Sequence, residues 1–204
     1  MEMTLSGSDI ARRYPLVVFD LDDTLYAEQD YLFAGYRAIG KYLADRGYGD
    51  AELYSDFLIE EFRRNGRKQL FDAFLARFAL PVKMSALLGI LHTVPAPIRL
   101  SEQAQELLDM LRDSGNRLYI LTNGNLTQQQ NKVDLLGLQE RYPGIGLVYA
   151  SAIEPKPSPK ALLLILEKEG IRAEDALLVG DSESDALTAR SANVDYINIQ
   201  NIQP

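Results

Sequence analysis

The sequence predicts an α/β protein, with a doubly wound, mostly parallel sheet interrupted by an inserted helical bundle. Three observations carry this. Beyond Leu100, short apolar runs alternate with amphipathic segments of helical period, as in strands covered by helices on both faces. From about Glu28 to His92 the pattern is helical throughout, with aromatics three and four residues apart. Carboxylates or small polar residues directly follow several of the apolar runs, at the ends of strands where open α/β sheets keep their ligands. We therefore assign residues 1–26 and 95–204 to a Rossmann-like sheet domain and 27–94 to the insert.

In chain order, Pro15 to Leu21 is the first strand, leading into Asp20-Leu21-Asp22-Asp23-Thr24. Four helical stripes follow: Leu32, Tyr36, Ile39 and Leu43; Tyr54, Leu58 and Phe62; Phe71, Phe74, Leu75 and Phe78; Met84, Leu87, Leu88 and Leu91. Gly47, Asn65-Gly66 and Pro81 stop the helices between them. Ser101 caps a helix that ends at Ser114-Gly115, ahead of a strand from Arg117 to Leu121. Thr127 and Gln130 have capping-box spacing and open a helix that stops at Gly137. Gly146 to Ala150 is the third strand, and Ser158-Pro159 reads as N-cap and first residue of a helix closed by Gly170. Ala176 to Val179 and Asp195 to Ile199 are the last two strands, around a helix from Glu183 to Ser191.

Composition narrows the function. The 204 residues are 47% hydrophobic and 25% charged, with 29 acidic against 21 basic, a net charge of −8. This argues for a globular protein with a real core and against non-specific binding to nucleic acid or anionic membrane. Without a cysteine there is no disulfide, thiolate nucleophile or Cys-ligated zinc. Met1 to Tyr14 lacks an apolar signal core and no stretch reaches 18 apolar residues, so a cytoplasmic location is the expectation.

Four separated stretches carry the candidate chemistry: Asp20-Leu21-Asp22-Asp23-Thr24, Thr122-Asn123-Gly124, Lys156 within Glu154-Pro155-Lys156-Pro157-Ser158-Pro159, and Gly180-Asp181 with Asp185. Each stands at or just beyond the end of a predicted strand, so they converge on one edge of the sheet. In this order they resemble the haloacid dehalogenase-like (HAD) superfamily of hydrolases, and the helical insert occupies the place of that family's type 1 cap. The resemblance implies that Asp20 attacks phosphorus to form an aspartyl-phosphate, and that Asp22 is the general acid and base. Asp22 then needs a raised pKa, for which a neighbouring carboxylate and cap closure are the expected causes. Its presence favours phosphate esters over haloacids, since a halide leaving group needs no acid.

The resemblance further implies Mg2+ held by Asp20, the main-chain carbonyl of Asp22, Asp181, and Asp185 directly or through water, which also relieves the repulsion among the carboxylates. A plainer reading of Asp185 is an acidic residue complementing the dipole in the first turn of a helix. Thr122, with the backbone of Asn123 and Gly124, forms a phosphate cradle, or simply an Asn-Gly turn. Lys156, held extended between two prolines, is aimed at the phosphate. Arg63, Arg64, Arg67 and Lys68 either recognise a second anionic group or form a solvated helix end. Asn193 stands where many relatives have glycine. The expected partner is a small phosphorylated metabolite such as a sugar phosphate or nucleotide. A phosphomutase and a non-catalytic phospho-ligand-binding protein are the alternatives, and the oligomeric state is left open.

Overall fold

The computed structural model describes residues 4–203. One compact unit is formed by the chain up to Ala27 and again from Arg99, the other by Glu28–Ile98.

In the first unit, five parallel strands form the sheet: β2 (Leu16–Phe19), β3 (Arg117–Thr122), β4 (Gly146–Tyr149), β5 (Ala176–Gly180) and β6 (Asp195–Asn198). Their order is β4-β3-β2-β5-β6, so β2 is central and the chain leaves it first to one side and later to the other. Such a reversal opens a crevice at the C-terminal end of the central strand, and Asp20 follows β2 directly. β2 is apolar at every position because both its faces are covered. Leu16 and Val18, with Tyr119, Leu121, Ala176 and Leu178, join a core completed by α9 (Lys160–Glu169) and α10 (Glu183–Ala192). Val17, Phe19, Ile120, Leu177 and Val179, which point the other way, are buried as well.

Three short elements were not foreseen. β1 (Leu5–Ser6) pairs in parallel with β7 (Ile202–Gln203), and Ser6 caps α1 (Gly7–Arg13) through a reciprocal capping box with Asp9. Two residues per strand carry no periodicity, which is why β1 and β7 escape a pattern-based reading. Ser101 caps α6 (Glu102–Asp113) as expected. α7 (Leu126–Leu135) begins one residue before the predicted capping box: Asn125, not Thr127, accepts the Gln128 N–H. α8 (Leu138–Arg141) is a single turn, and α9 starts after Pro159, with the Ser158 hydroxyl accepting from the Lys160 N–H.

The second unit consists of α2 (Glu28–Ala44), α3 (Ala51–Asn65), α4 (Leu70–Phe78) and α5 (Met84–Thr93). Leu32, Tyr36, Ile39 and Leu43 are all buried, as their spacing predicts. Phe33, Tyr36, Phe62 and Phe71 form one aromatic cluster, and Tyr54, Phe57, Phe74 and Phe78 a second with mostly edge-to-face contacts. Within the basic patch, Arg67 pairs with the buried Glu28, Arg64 pairs with Glu60 at 3.0 Å, and Arg63 lies over the Phe33 ring.

Candidate active site

The ladder between β2 and β5 continues one residue past the strand, where the Asp20 N–H donates to the Val179 carbonyl at 2.9 Å. This fixes Asp20 at the mouth of the crevice, almost wholly buried. Lys156 Nζ lies 2.5 Å from Asp20 Oδ1 and 2.5 Å from Asp185 Oδ1, so one buried ammonium joins a carboxylate at the end of β2 to one in the first turn of α10.

The segment carrying Lys156 is not extended as expected. It forms a turn with a cis Lys156–Pro157 bond, closed by the Ser158 N–H on the Pro155 carbonyl at 3.0 Å. Asn123 holds this turn from the side. Its Oδ1 accepts the Lys156 N–H at 2.8 Å and its Nδ2 donates to the Lys156 carbonyl at 3.0 Å. The Asn123 side chain therefore positions the lysine.

Asp181 completes an acidic cluster. Ligand oxygens from Asp20, Asp181 and Asp185 lie within 4.8 Å of one another. Thr24, the last residue of the first motif, donates to Asp181 Oδ1 at 3.4 Å. Burial raises the pKa of Asp20 to about 7, against the pull of Lys156 and with help from the Asp185 charge. Burial also raises Asp181, helped by the charges of Asp185 and Asp23. Burial alone would press Lys156 toward its neutral form, but the Asp20 and Asp185 charges outweigh it and hold its pKa above the usual lysine value.

An oxygen-only donor set of three carboxylates fits a hard divalent cation. Asp185, wholly buried, is the most occupied of the three. Its Oδ1 receives Lys156, and its Oδ2 receives the Ser182 N–H at 3.2 Å and the Ser182 hydroxyl at 2.6 Å in a capping box at the start of α10. Asp185 thus stands in the acidic cluster and also closes the capping box of its own helix. Gly180 makes the approach possible, because a Cβ there would come within 2.6 Å of the Asp185 carboxyl. Asn193 ends the same helix in the left-handed conformation, as its residue type allows.

The environment of Asp22 differs from expectation. The charged group in contact with it is an ammonium rather than a second carboxylate. Lys132 Nζ lies 2.7 Å and 2.8 Å from its two oxygens, Gln129 Nε2 donates to Oδ2 at 2.9 Å, and the Tyr26 hydroxyl donates to Oδ1 at 2.6 Å. Neither Gln129 nor Lys132 was singled out from the sequence. A signal was present, because Gln129, Lys132, Val133 and Leu136 follow inward helical spacing and two of the four are polar.

Thr122 is also tied into this group, as its Oγ1 accepts from Gln129 Nε2 at 2.6 Å and donates to the Asn123 carbonyl at 3.2 Å. Gly124 adopts a φ of +111°, which side chains rarely tolerate, and so shapes the turn that follows β3.

A family model of haloacid dehalogenase-like hydrolases matches residues 14–193, and the chain belongs to that family. It is 27% identical over 199 residues to a phosphoglycolate phosphatase of Vibrio parahaemolyticus, covering 87% of this chain and 79% of that protein. To a glyceraldehyde 3-phosphate phosphatase of Pyrococcus abyssi it is 29% identical over 174 residues, covering 81% and 72%. A solved structure of a Thermotoga maritima protein assigned as a β-phosphoglucomutase shares the fold, with a TM-score of 0.69 at 18% identity, over 88% of this chain and 82% of that one. The protein is an enzyme, a phosphatase of the HAD-like family.

Proposed function

We propose that this phosphatase is Mg2+-dependent and hydrolyses a small phosphomonoester through an aspartyl-phosphate on Asp20. The observation that carries the proposal is the Lys156 ammonium 2.5 Å from both Asp20 and Asp185, at the edge of the acidic cluster. A carboxylate with a fixed cation beside it is what phosphoryl transfer asks of a protein: an in-line nucleophile and positive charge near the equatorial oxygens.

In this reading Asp20 attacks phosphorus and the bond from phosphorus to the ester oxygen breaks. Asp22 gives its proton to that departing oxygen. Asp22 then takes a proton from a water as the water attacks the phosphoryl group, and the bond to Asp20 breaks to release inorganic phosphate. Lys156, Thr122 and the amides of Asn123 and Gly124 hold the phosphoryl oxygens. Asp20, the Asp22 carbonyl and Asp181 hold Mg2+, with Asp185 acting directly or through water, and the ion supplies charge neutralisation at the phosphoryl group. Residues 27–94 act as the cap domain, and 1–26 with 95–204 as the catalytic core.

The names of the relatives point to two- and three-carbon phosphorylated acids and aldehydes as the first substrates to test. Among the described residues no helix is long and apolar enough to cross a membrane, which is compatible with a cytoplasmic site of action. The test is a panel of phosphorylated metabolites with Mg2+, scored by phosphate release. The wild type should turn over at least one small phosphomonoester, and Asp20→Asn should lose at least about 10³-fold. An Asp20→Asn variant as active as the wild type would refute the mechanism.

A further inference from the structure

We infer that Lys132, supported by Gln129 and Tyr26, is a positioning residue that orients Asp22 for its acid and base work. The inference rests on the hydrolytic reading above and extends it to residues outside the four motifs.

A carboxylate offers about four lone-pair sites, and all four on Asp22 are met. Oδ1 receives Tyr26 and Lys132, and Oδ2 receives Gln129 and Lys132. Lys132 is 1% exposed, and an ammonium is buried in a protein only when a specific partner compensates its desolvation. Here the Asp22 carboxylate is that partner.

Lys132 reaches both oxygens. When Asp22 carries a proton, or when an ester oxygen or a water approaches it, one donor on one oxygen must give way. A single-point donor such as Tyr26 can be exchanged while Lys132 keeps hold of the group. Gln129 adds a second constraint, because the same amide nitrogen that donates to Asp22 donates to Thr122 at 2.6 Å, tying the acid to the last residue of β3. Asp20 and Asp22 of this loop thus each meet a buried lysine of their own. The separation keeps Lys156 for the nucleophile and the phosphate.

The test uses leaving groups. p-Nitrophenyl phosphate releases a phenolate that needs no proton, whereas phosphoglycolate or glyceraldehyde 3-phosphate releases an alkoxide that does. Lys132→Met should lower kcat/KM on the alkyl phosphate by roughly 10-fold to 100-fold, and on p-nitrophenyl phosphate by less than about 3-fold. Lys132→Arg should recover part of the loss. In an Asp22→Asn background Lys132→Met should add nothing, because it acts through Asp22.

An equal loss on both substrates, or a full additional loss in the Asp22→Asn background, would overturn the inference. Should Lys132→Met fail to fold, Tyr26→Phe removes one hydroxyl and should show the same bias toward the alkyl phosphate at smaller size. Absence of that bias would overturn the inference equally. A wild type that releases phosphate from neither class would bring down the hydrolytic reading and this inference together. An active wild type with unbiased variants removes this inference alone.

Discussion

The two buried lysines of the crevice, Lys156 and Lys132, stand in opposite electrostatic situations. Around Lys156, three carboxylic groups gather against one ammonium in a mostly buried cluster, so the acidic groups outnumber the basic one. Lys132 pairs with the Asp22 carboxylate, which also receives the neutral donors Tyr26 and Gln129. Buried charge persists only when paired or bound to a metal. The first group is where the proposed divalent cation would sit. Within a few residues of one loop, Asp20 and Asp22 keep different company, in line with the different roles proposed for them.

Metal removal breaks the comparison most sharply. EDTA should abolish phosphate release and excess Mg2+ should restore it. Undiminished turnover in EDTA would mean that the acidic cluster is not completed by a metal ion. Next in size, Lys156→Met should lower kcat by roughly 10²-fold to 10³-fold, the range seen when a charge-stabilising donor is lost. Arg64→Ala, at an exposed ion pair in the helical unit, should stay within about 2-fold in the same assay. The reverse order would place the phosphate elsewhere.

The smallest effect concerns pH. Asp20 binds its proton more tightly in the folded chain than in the unfolded one, since burial lifts it to about 7, and Asp181 is shifted the same way. The contribution of these groups to stability is full below the ordinary carboxylate range and is lost as pH rises through the folded pKa. Thermal melts of metal-free protein should thus fall from pH 5 to pH 8 by a few degrees. Asp20→Asn should flatten that slope and Mg2+ should recover stability at the upper end. A melting temperature that rises over this interval, with or without Asp20, would contradict the assignment.

What the sequence made legible follows from where each signal lay. The central strands β2 and β5 could be read because they are apolar at every position but the closing glycine of β5, and the helical unit because its aromatics keep helical spacing. Asp20, Asp181 and Lys156 stood out as charges directly after strands or between prolines, where a bland explanation is weak. Lys132 and Gln129 did not, because they lie inside a helix whose polar residues read as a solvated face. Their contacts with Asp22 and Thr122 are what mark them as inward-facing. The boundary of α7 was missed because two residues, Asn125 and Thr127, are both competent caps, and backbone geometry chose between them. The turn at Lys156 was missed because flanking prolines restrict a chain without dictating its direction.

The central claim is that Asp20 takes the phosphoryl group. Rapid-quench mass spectrometry of the wild type with Mg2+ and its best substrate from the panel addresses it directly. A phosphoryl adduct on the peptide carrying Asp20, absent in Asp20→Asn, is the predicted result. An adduct on a different residue, or steady phosphate release with no adduct at any quench time, would contradict it.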